Sequence, residues 1–416
     1  MKTIIESLHL EGFRQFPQLD VHFNEGFNFL SGPNGCGKTS VLAGVSHCFT
    51  TTFTYSRFRE DAEFWVDMSI GMDKYRVGTG KGAGISTQYR SSSLKRWTPP
   101  PPATGRNLIT NYQTSELIGS NVPLFIGAQR SIKYEQIQGL KREDDLQTSI
   151  TKYSSKTTQS LYGEHSPNIK QWFINRYFVI DKDWAQEERE NWNHLIDQLP
   201  HIAPFDSKFS YIKTERDLEP IFSIYGRECY LEEISSGFQA ILLIICNIFQ
   251  WIEETREPGK RSVRTATGTV LIDELDLHLH PEWQFTIRDG LVRIFPNLQF
   301  IVTTHSPHLL ASAANNEVIV MPARANANEP LRLIPTRRTY AGWNTDQILS
   351  DVMGVKSLDN KVYERLVSAA LQSVRKKNLE QLKEVMNQLR SVCHPDDSIL
   401  VVLTAEFAAL EALDHD

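Results

Sequence analysis

The chain has 416 residues, a formal net charge of -6 and an apolar fraction of 40%, long enough for roughly two or three core-forming units. That balance excludes wholesale disorder, and the mild acidity excludes a globally basic nucleic-acid binder, so any such surface has to come from local clusters. Five cysteines (Cys36, Cys48, Cys229, Cys246, Cys393) form no C-x-x-C pair, which argues for reduced thiols and a cytoplasmic protein.

Residues 1–50 read strand, strand, strand, helix. Ile4 to Leu10 and Leu19 to Phe23 alternate between apolar and polar, and a buried strand from Phe27 ends at Ser31. Gly32 to Thr39 then read GPNGCGKT, a complete G-x-x-x-x-G-K-[ST] loop handing over to a helix, Lys38 to Phe49. The backbone of Gly32, Pro33, Asn34, Gly35, Cys36 and Gly37 can close around the phosphates of ATP. Lys38 adds a point charge, Thr39 offers a hydroxyl to Mg²⁺, and Ser40 follows on the same helix start. A glycine-rich turn without ligand would not need the strand before it and the helix after it.

Residues 51–229 are heterogeneous and are expected to be an α+β insertion. Phe64 to Val77 suits a hairpin, and a glycine-rich turn follows at Gly78 to Gly84. Residues 86–106 hold Arg90, Lys95, Arg96, Arg106 and four consecutive prolines but no acid, so a solvated or mobile loop is expected, with contact to nucleic acid or a protein partner as the alternative. Lys170 to Phe178 and Asp183 to Leu199 have helical patterns.

Residues 230–343 resume the nucleotide-binding pattern. Glu232 to Ile252 suits a helix, and its longest apolar run, Ile241 to Ile252, is interrupted by Asn247 and Gln250 and is too short to span a bilayer. Its start, ISSGFQ, would point free N–H groups and a positive dipole end at an anion, unless the serines are a simple N-cap. A basic linker follows (Arg256, Lys260, Arg261, Arg264), with the same two readings as the first basic segment. In TVLIDELDLHLHP a buried strand delivers Asp273 and Glu274 to its C-terminal end, where open α/β sheets place their ligands. Asp273 is the candidate for Mg²⁺, and Glu274 for orienting and deprotonating a water. Another strand, Gln299 to Thr303, leads to His305 in TTHSP. Short buried strands separated by helices imply a mostly parallel sheet with helical cover. Residues 344–416 are expected to be a helical C-terminal region, clearest over Leu379 to Val392.

GFRQF, GPNGCGKT, ISSGFQ, VLIDELDLHLHPEWQ and IVTTHSPHLL, taken together, resemble the RecF/SMC-type branch of ABC ATPases, which includes the OLD nucleases. The resemblance covers roughly residues 1–50, 120–135 and 230–355 and implies an ABC-type P-loop head. It implies that Ser235, Ser236, Gly237 and Gln239 are the signature that closes on ATP held by a second copy, giving a dimer or higher homo-oligomer. It implies further that His305 is the switch histidine acting with Lys38 and Glu274 in catalysis, and that Gln129 is the glutamine sensing the metal beside Thr39 and Asp273. Arg14 would approach the nucleotide, a strand-end arginine being the alternative, and Asp276 or His278 would serve in the loop after Glu274.

A compact middle region rather than long coiled-coil arms, and no separated acid clusters of a Toprim kind, narrow the likeness. The chain, with YAGWNTDQILSDVMGV after its core, is similar to the PtuA-type ATPase subunits of Septu-type anti-phage systems, also found beside some retrons. That resemblance implies a separate HNH nuclease subunit as partner, with DNA, RNA or a retron reverse transcriptase and its nucleic acid as further partners, and no membrane. A RecF-like DNA-repair ATPase and a nucleotide-binding scaffold with little turnover are the alternatives.

Overall fold

The computed structural model describes residues 2–54, 58–83, 85–88, 91–94, 96–132, 134–165, 168–203, 205–323, 329–355, 360–394 and 397–414. They form two compact units, 1–354 and 355–416. In the first, five strands line up in the order Leu124–Ile126, Gly268–Ile272, Leu298–Thr303, Phe27–Ser31, Val318–Val320. Every neighbouring pair among them is parallel, with Ile126 opposite Ile272, Ile272 opposite Val302 and Val302 opposite Phe29. A second sheet, mostly antiparallel, runs Leu331–Leu333, Phe16–His22, Thr3–Phe13, Phe58–Ile70, Asp73–Thr79, Asn107–Thr110.

The parallel strands look uniformly apolar because both of their faces are covered, and their period-2 geometry sorts the side chains between two cores. Phe27, Phe29, Val270, Ile272, Phe300 and Val302 face one core, which the helix Ser236–Thr255 fills with Ile241, Ile244, Ile248 and Trp251. Leu30, Leu271, Ile301 and Ile319 face the other, where Val41, Leu42 and Val45 of the helix Lys38–His47 pack against Leu10, Phe13 and Phe64 of the antiparallel sheet. The phosphate-loop helix is thus clamped between two sheets, which fixes the start of that helix in place. The 20-residue helix Ser236–Thr255 is apolar enough to cross a membrane, and 83% of its apolar stretch is buried inside the protein. The helix expected over Glu232 to Ile252 starts at Ser236 and runs on to Thr255, and its Asn247 and Glu253 are buried in the core.

The middle of the chain does not stand apart as an insertion. Phe58–Ile70 pairs with Thr3–Phe13, and Leu124–Ile126 forms the edge of the parallel sheet. The expected hairpin is present, as Phe58–Ile70 with Asp73–Thr79. The first basic segment is not a free loop in its described part: Ile85–Gln88 pairs with Ser91–Leu94, Thr98 and Pro101 carbonyls accept from Gly80, Thr79 and Arg76, and Arg106 is ion-paired to Glu6. Arg90 and Lys95 lie outside the described residues. The expected middle helices run Ile169–Val179 and Gln186–Ile202.

Tyr340, Ile348, Val352 and Met353 belong to the core of the first unit, so the separate C-terminal unit begins at Val355 rather than at Asn344. By itself it is three helices, Lys361–Arg375, Leu379–Val392 and Ser398–Asp414, around Ala370, Leu382, Val385, Met386, Leu389 and Leu403.

Candidate functional site

The C-terminal ends of four parallel strands deliver Gly32, Gly127, Asp273 and Thr304 to one edge of the sheet. Ser31 accepts from Met321 N at 2.7 Å and Leu30 from Thr304 N at 3.2 Å, so the loops leave the sheet side by side. Gly32 has no room for a side chain: a Cβ there would lie 2.5 Å from the Met321 carbonyl. Gly37, at φ +104, would drive a Cβ to 2.0 Å from the Gln15 amide. These two glycines allow the turn that Asn34 and Gly35 expose to solvent. Lys38 is 6% exposed and donates to the carbonyls of Gly32 (2.8 Å) and Pro33 (3.1 Å) across its own loop. Burial pushes its ammonium below the ordinary value, while Cys36, Asp273, Asp276 and Glu274 act in the opposite sense. Cys36 is buried beside it, and that burial pushes the thiol up, away from the reactive thiolate.

Thr39, the second member of the helix, donates its hydroxyl to both oxygens of Asp273 at 3.0 and 3.1 Å. Thr303 holds the same carboxylate from the neighbouring strand, at 2.6 Å to Oδ1, and its hydroxyl also accepts from Glu274 N at 2.7 Å. A hydroxyl and a carboxylate at this separation are hard oxygen donors that fit Mg²⁺. Glu274 is half-buried and sits at φ +49, a left-handed conformation that costs a non-glycine residue about 1 kcal/mol or more. Its carbonyl and that of Asp273 both accept from Nη2 of Arg130, the former at 2.7 Å. Asp276 accepts from the Thr304 hydroxyl at 2.7 Å and from His305 N at 3.1 Å, so the loop after Glu274 is tied to the turn carrying the exposed His305. His278 sits at φ +67, exposed.

The helix Ser236–Thr255 starts with Ser235 in an extended conformation and without a side-chain cap. Ser235 and Ser236 are exposed, which leaves the first N–H groups of the helix free to meet an anion. Gly237 is needed for packing, since a Cβ would come within 2.8 Å of Trp283 and 2.9 Å of the His278 carbonyl. Gln239 lies half-buried in the first turn of the same helix. Its amide donates to the Glu232 and Ile234 carbonyls (3.1 and 3.0 Å) and accepts from Ile132 N (3.3 Å), holding the serine turn within its own chain.

Arg14 is brought to the phosphate-loop helix: Nη1 donates to Ser40 Oγ at 3.1 Å and Nη2 to the Tyr162 hydroxyl, at a backbone φ of +51. Gln129 is exposed, three residues past the edge strand and packed close to Gly163. Arg130 and Thr303 were not singled out by the sequence. Arg130 directly follows Gln129 and Thr303 stands two residues before His305, but a lone arginine or threonine carries no spacing signal.

The second basic segment is exposed over residues 257–260 and 264–265 and anchored at Arg256 and Arg261. Arg256 is buried and donates to the Thr267 carbonyl at 2.9 Å, Lys260 pairs with Glu257, and Arg261 pairs with Glu188, which leaves Arg264 as its exposed and unpaired cation among the described residues. On the antiparallel sheet His9, Glu11 and Glu63 stand close enough to share an ion. The Lys81 ammonium, 2.8 Å from Glu11 and 3.7 Å from Glu63, supplies the positive charge there.

This geometry can be set beside known proteins. Septu protein PtuA of Bacillus thuringiensis is 29% identical over 97% of this chain and 98% of its own length. The Retron Vc95 probable ATPase of Vibrio cholerae serotype O1 biovar El Tor is 26% identical over 90% of this chain and 85% of its own. DNA replication and repair protein RecF of Chlorobium limicola is 49% identical over 57% of this chain and 58% of its own. One AAA-domain profile matches residues 139–311 and another residues 7–219. The second spans more than half of the sequence, including the phosphate loop, and on it the chain belongs to the AAA-domain family of P-loop ATPases, with similarity to RecF-like and PtuA ATPases.

Proposed function

We propose that the chain binds and hydrolyses ATP with Mg²⁺, dimerises by sandwiching two nucleotides, and controls a separate HNH-type nuclease subunit in a cytoplasmic anti-phage defence complex. The observation that carries the hydrolytic part is the meeting of Thr39, Asp273 and Thr303 within hydrogen-bond distance, with Glu274 next in the chain. Lys38 holds the β- and γ-phosphates once its bonds to the Gly32 and Pro33 carbonyls are exchanged for phosphate oxygens. Glu274 takes a proton from the attacking water at its carboxylate, and His305 contacts the γ-phosphate from the other side. Thr39 and Asp273, with Gln129 as the sensing glutamine, would hold Mg²⁺, which would supply charge neutralisation between the phosphates.

Dimerisation is supported by the exposed, uncapped turn at Ser235 and Ser236, which is a helix N-terminus awaiting an anion from outside its own loop. Two copies related by a twofold axis would then each complete the other's site. Control of a nuclease rests on the similarity to Septu protein PtuA along nearly the whole of both chains. Nucleotide-dependent closure would change the surface offered to that partner.

The test is Glu274→Gln. Phosphate release should fall by about 100-fold or more while ATP still binds, and the species in ATP should have twice the 47.6 kDa chain mass. Unchanged hydrolysis removes Glu274 as the base. Co-expression with the HNH-type subunit should yield a complex whose cutting responds to ATP. A RecF-like DNA-repair role is favoured by the 49% identity over 240 residues, and strong binding to gapped DNA without any protein partner would select it.

A further inference from the structure

Arg130 is 3% exposed, and yet no carboxylate among the described residues pairs with it directly. All of its hydrogen bonds go to main-chain carbonyls: Nε to Gly127 at 2.9 Å, and Nη2 to Asp273 and to Glu274. Nη1 is buried and has no partner. Burying a guanidinium this way is costly, and burial pushes it down to about 10, so it still carries its charge at neutral pH. Arg76, by contrast, recovers that cost through a bidentate carboxylate pair with Asp67 at 2.8 and 2.9 Å.

What the guanidinium holds are the two peptides that flank the candidate base. Asp273 and Glu274 lie where the backbone turns from an extended strand into the left-handed region, and one nitrogen accepts that bend by gripping the carbonyls on both sides of it. Thr303 grips the N–H of the same residue from the neighbouring strand. The Asp273–Glu274 peptide is therefore held at its carbonyl and at its N–H, and the following peptide at the Glu274 carbonyl. We propose that Arg130 is a positioning residue for ATP hydrolysis, fixing the Asp273–Glu274 backbone so that the Glu274 carboxylate meets the attacking water. This rests on the reading of Glu274 as the base.

The guanidinium supplies a planar donor that reaches two carbonyls at once, which an ammonium on a shorter, single-point stem does not reproduce. Arg130→Met should leave ATP affinity within about threefold and lower kcat by about 100-fold, the loss typical of a reacting group misplaced by an ångström. Arg130→Lys, which keeps the charge, should recover only part of that loss. The decisive measurement is the cycle with Glu274→Gln. If Arg130 acts through Glu274, adding Arg130→Met to Glu274→Gln lowers the residual rate by less than about threefold, because the group it positions is already gone. Independent, multiplicative losses overturn the proposal, as does a kcat for Arg130→Met equal to that of the unaltered chain when Glu274→Gln is inactive. If Arg130→Met fails to fold, the same cycle run with Arg130→Lys decides in the same way. Should Glu274→Gln alone hydrolyse normally, it is the assignment of the base that has failed, and a loss in Arg130→Met would then count against positioning of that carboxylate.

Discussion

The Thr39 hydroxyl stands 3.0 Å from Oδ1 and 3.1 Å from Oδ2 of Asp273, across 234 positions of sequence. Two strands pairing to a common neighbour produce this contact: Phe27–Ser31 and Gly268–Ile272 both hydrogen-bond to Leu298–Thr303, and their C-terminal ends come out level. Thr303, on the strand between them, completes the group at 2.6 Å from Asp273.

Removing the carboxylate should therefore separate nucleotide binding from metal dependence. Asp273→Asn is expected to weaken Mg²⁺-dependent ATP binding severely. Thr303→Val, which frees the carboxylate and also removes the acceptor of Glu274 N, should raise the Mg²⁺ requirement by about 10-fold, the scale typical of outer ligands that orient a metal-binding group. Titrating Mg²⁺ at fixed fluorescent ATP analogue measures both, and equal Mg²⁺ curves for Thr303→Val and the unaltered chain would remove the orienting role.

Ser236 begins a helix without a side-chain cap, so its expected work lies between copies rather than within one. Ser236→Ala should cut steady-state hydrolysis by about 100-fold, comparable to losing one donor to developing charge, while ATP still binds. Equal loss of ATP binding, read by the same fluorescence titration, would place the serine in its own chain's site instead.

Gly237 has backbone and ring atoms closer than a Cβ tolerates, at 2.8 and 2.9 Å. Gly237→Ala should destabilise the first unit by about 1–3 kcal/mol through overpacking. A lowered denaturant midpoint with an unaltered slope is the expected signature, and an unchanged midpoint would mean that Trp283 moves aside freely.

Three histidines share one direction of pH response. His47 is fully buried, and burial first, with Arg14 second, holds its imidazole well below the ordinary range. His165 is pushed down to about 4 by burial and by Lys156 and Lys152, and His194 is lowered chiefly by burial. The unfolded chain takes up protons at these sites near pH 6.5 and the folded chain does not. Stability is thus present above that pH and lost as pH falls below it, at about 1.4 kcal/mol per pH unit for the fully buried His47. Melting temperatures at pH 7.5, 6.0 and 5.0 should fall in that order, and His47→Gln should flatten the slope. A flat profile would mean that His47 finds its proton in the folded state too.

Much of the site was legible because it is written in short, local grammar. Gly32 and Gly37 of GPNGCGKT are required by close contacts and Gly35 by its left-handed backbone, and the acids of VLIDE follow from a buried strand that ends at the sheet edge. The limits appear at residues whose role is to hold others. Gln239 was expected at the nucleotide, and the bonds it makes within the chain to Glu232, Ile234 and Ile132 carry no signal of their own in the sequence. Arg106 and Arg261 looked free since their partners, Glu6 and Glu188, are distant in sequence. The middle region looked inserted because Phe58–Ile70 closes onto Thr3–Phe13 only in three dimensions.

The sequence by itself determined that a phosphate loop precedes a helix, that two acids end a buried strand, and that serines open the longest apolar helix. Each of these depends on backbone geometry within about ten residues. Only the tertiary structure decided which of the remaining polar side chains serve the site. The bonds of Arg130 to the Asp273 and Glu274 carbonyls, of Thr303 to Asp273, and of Arg14 to Ser40 exist because parallel strands far apart in the chain end at one edge. No periodicity in the sequence records which ends will meet.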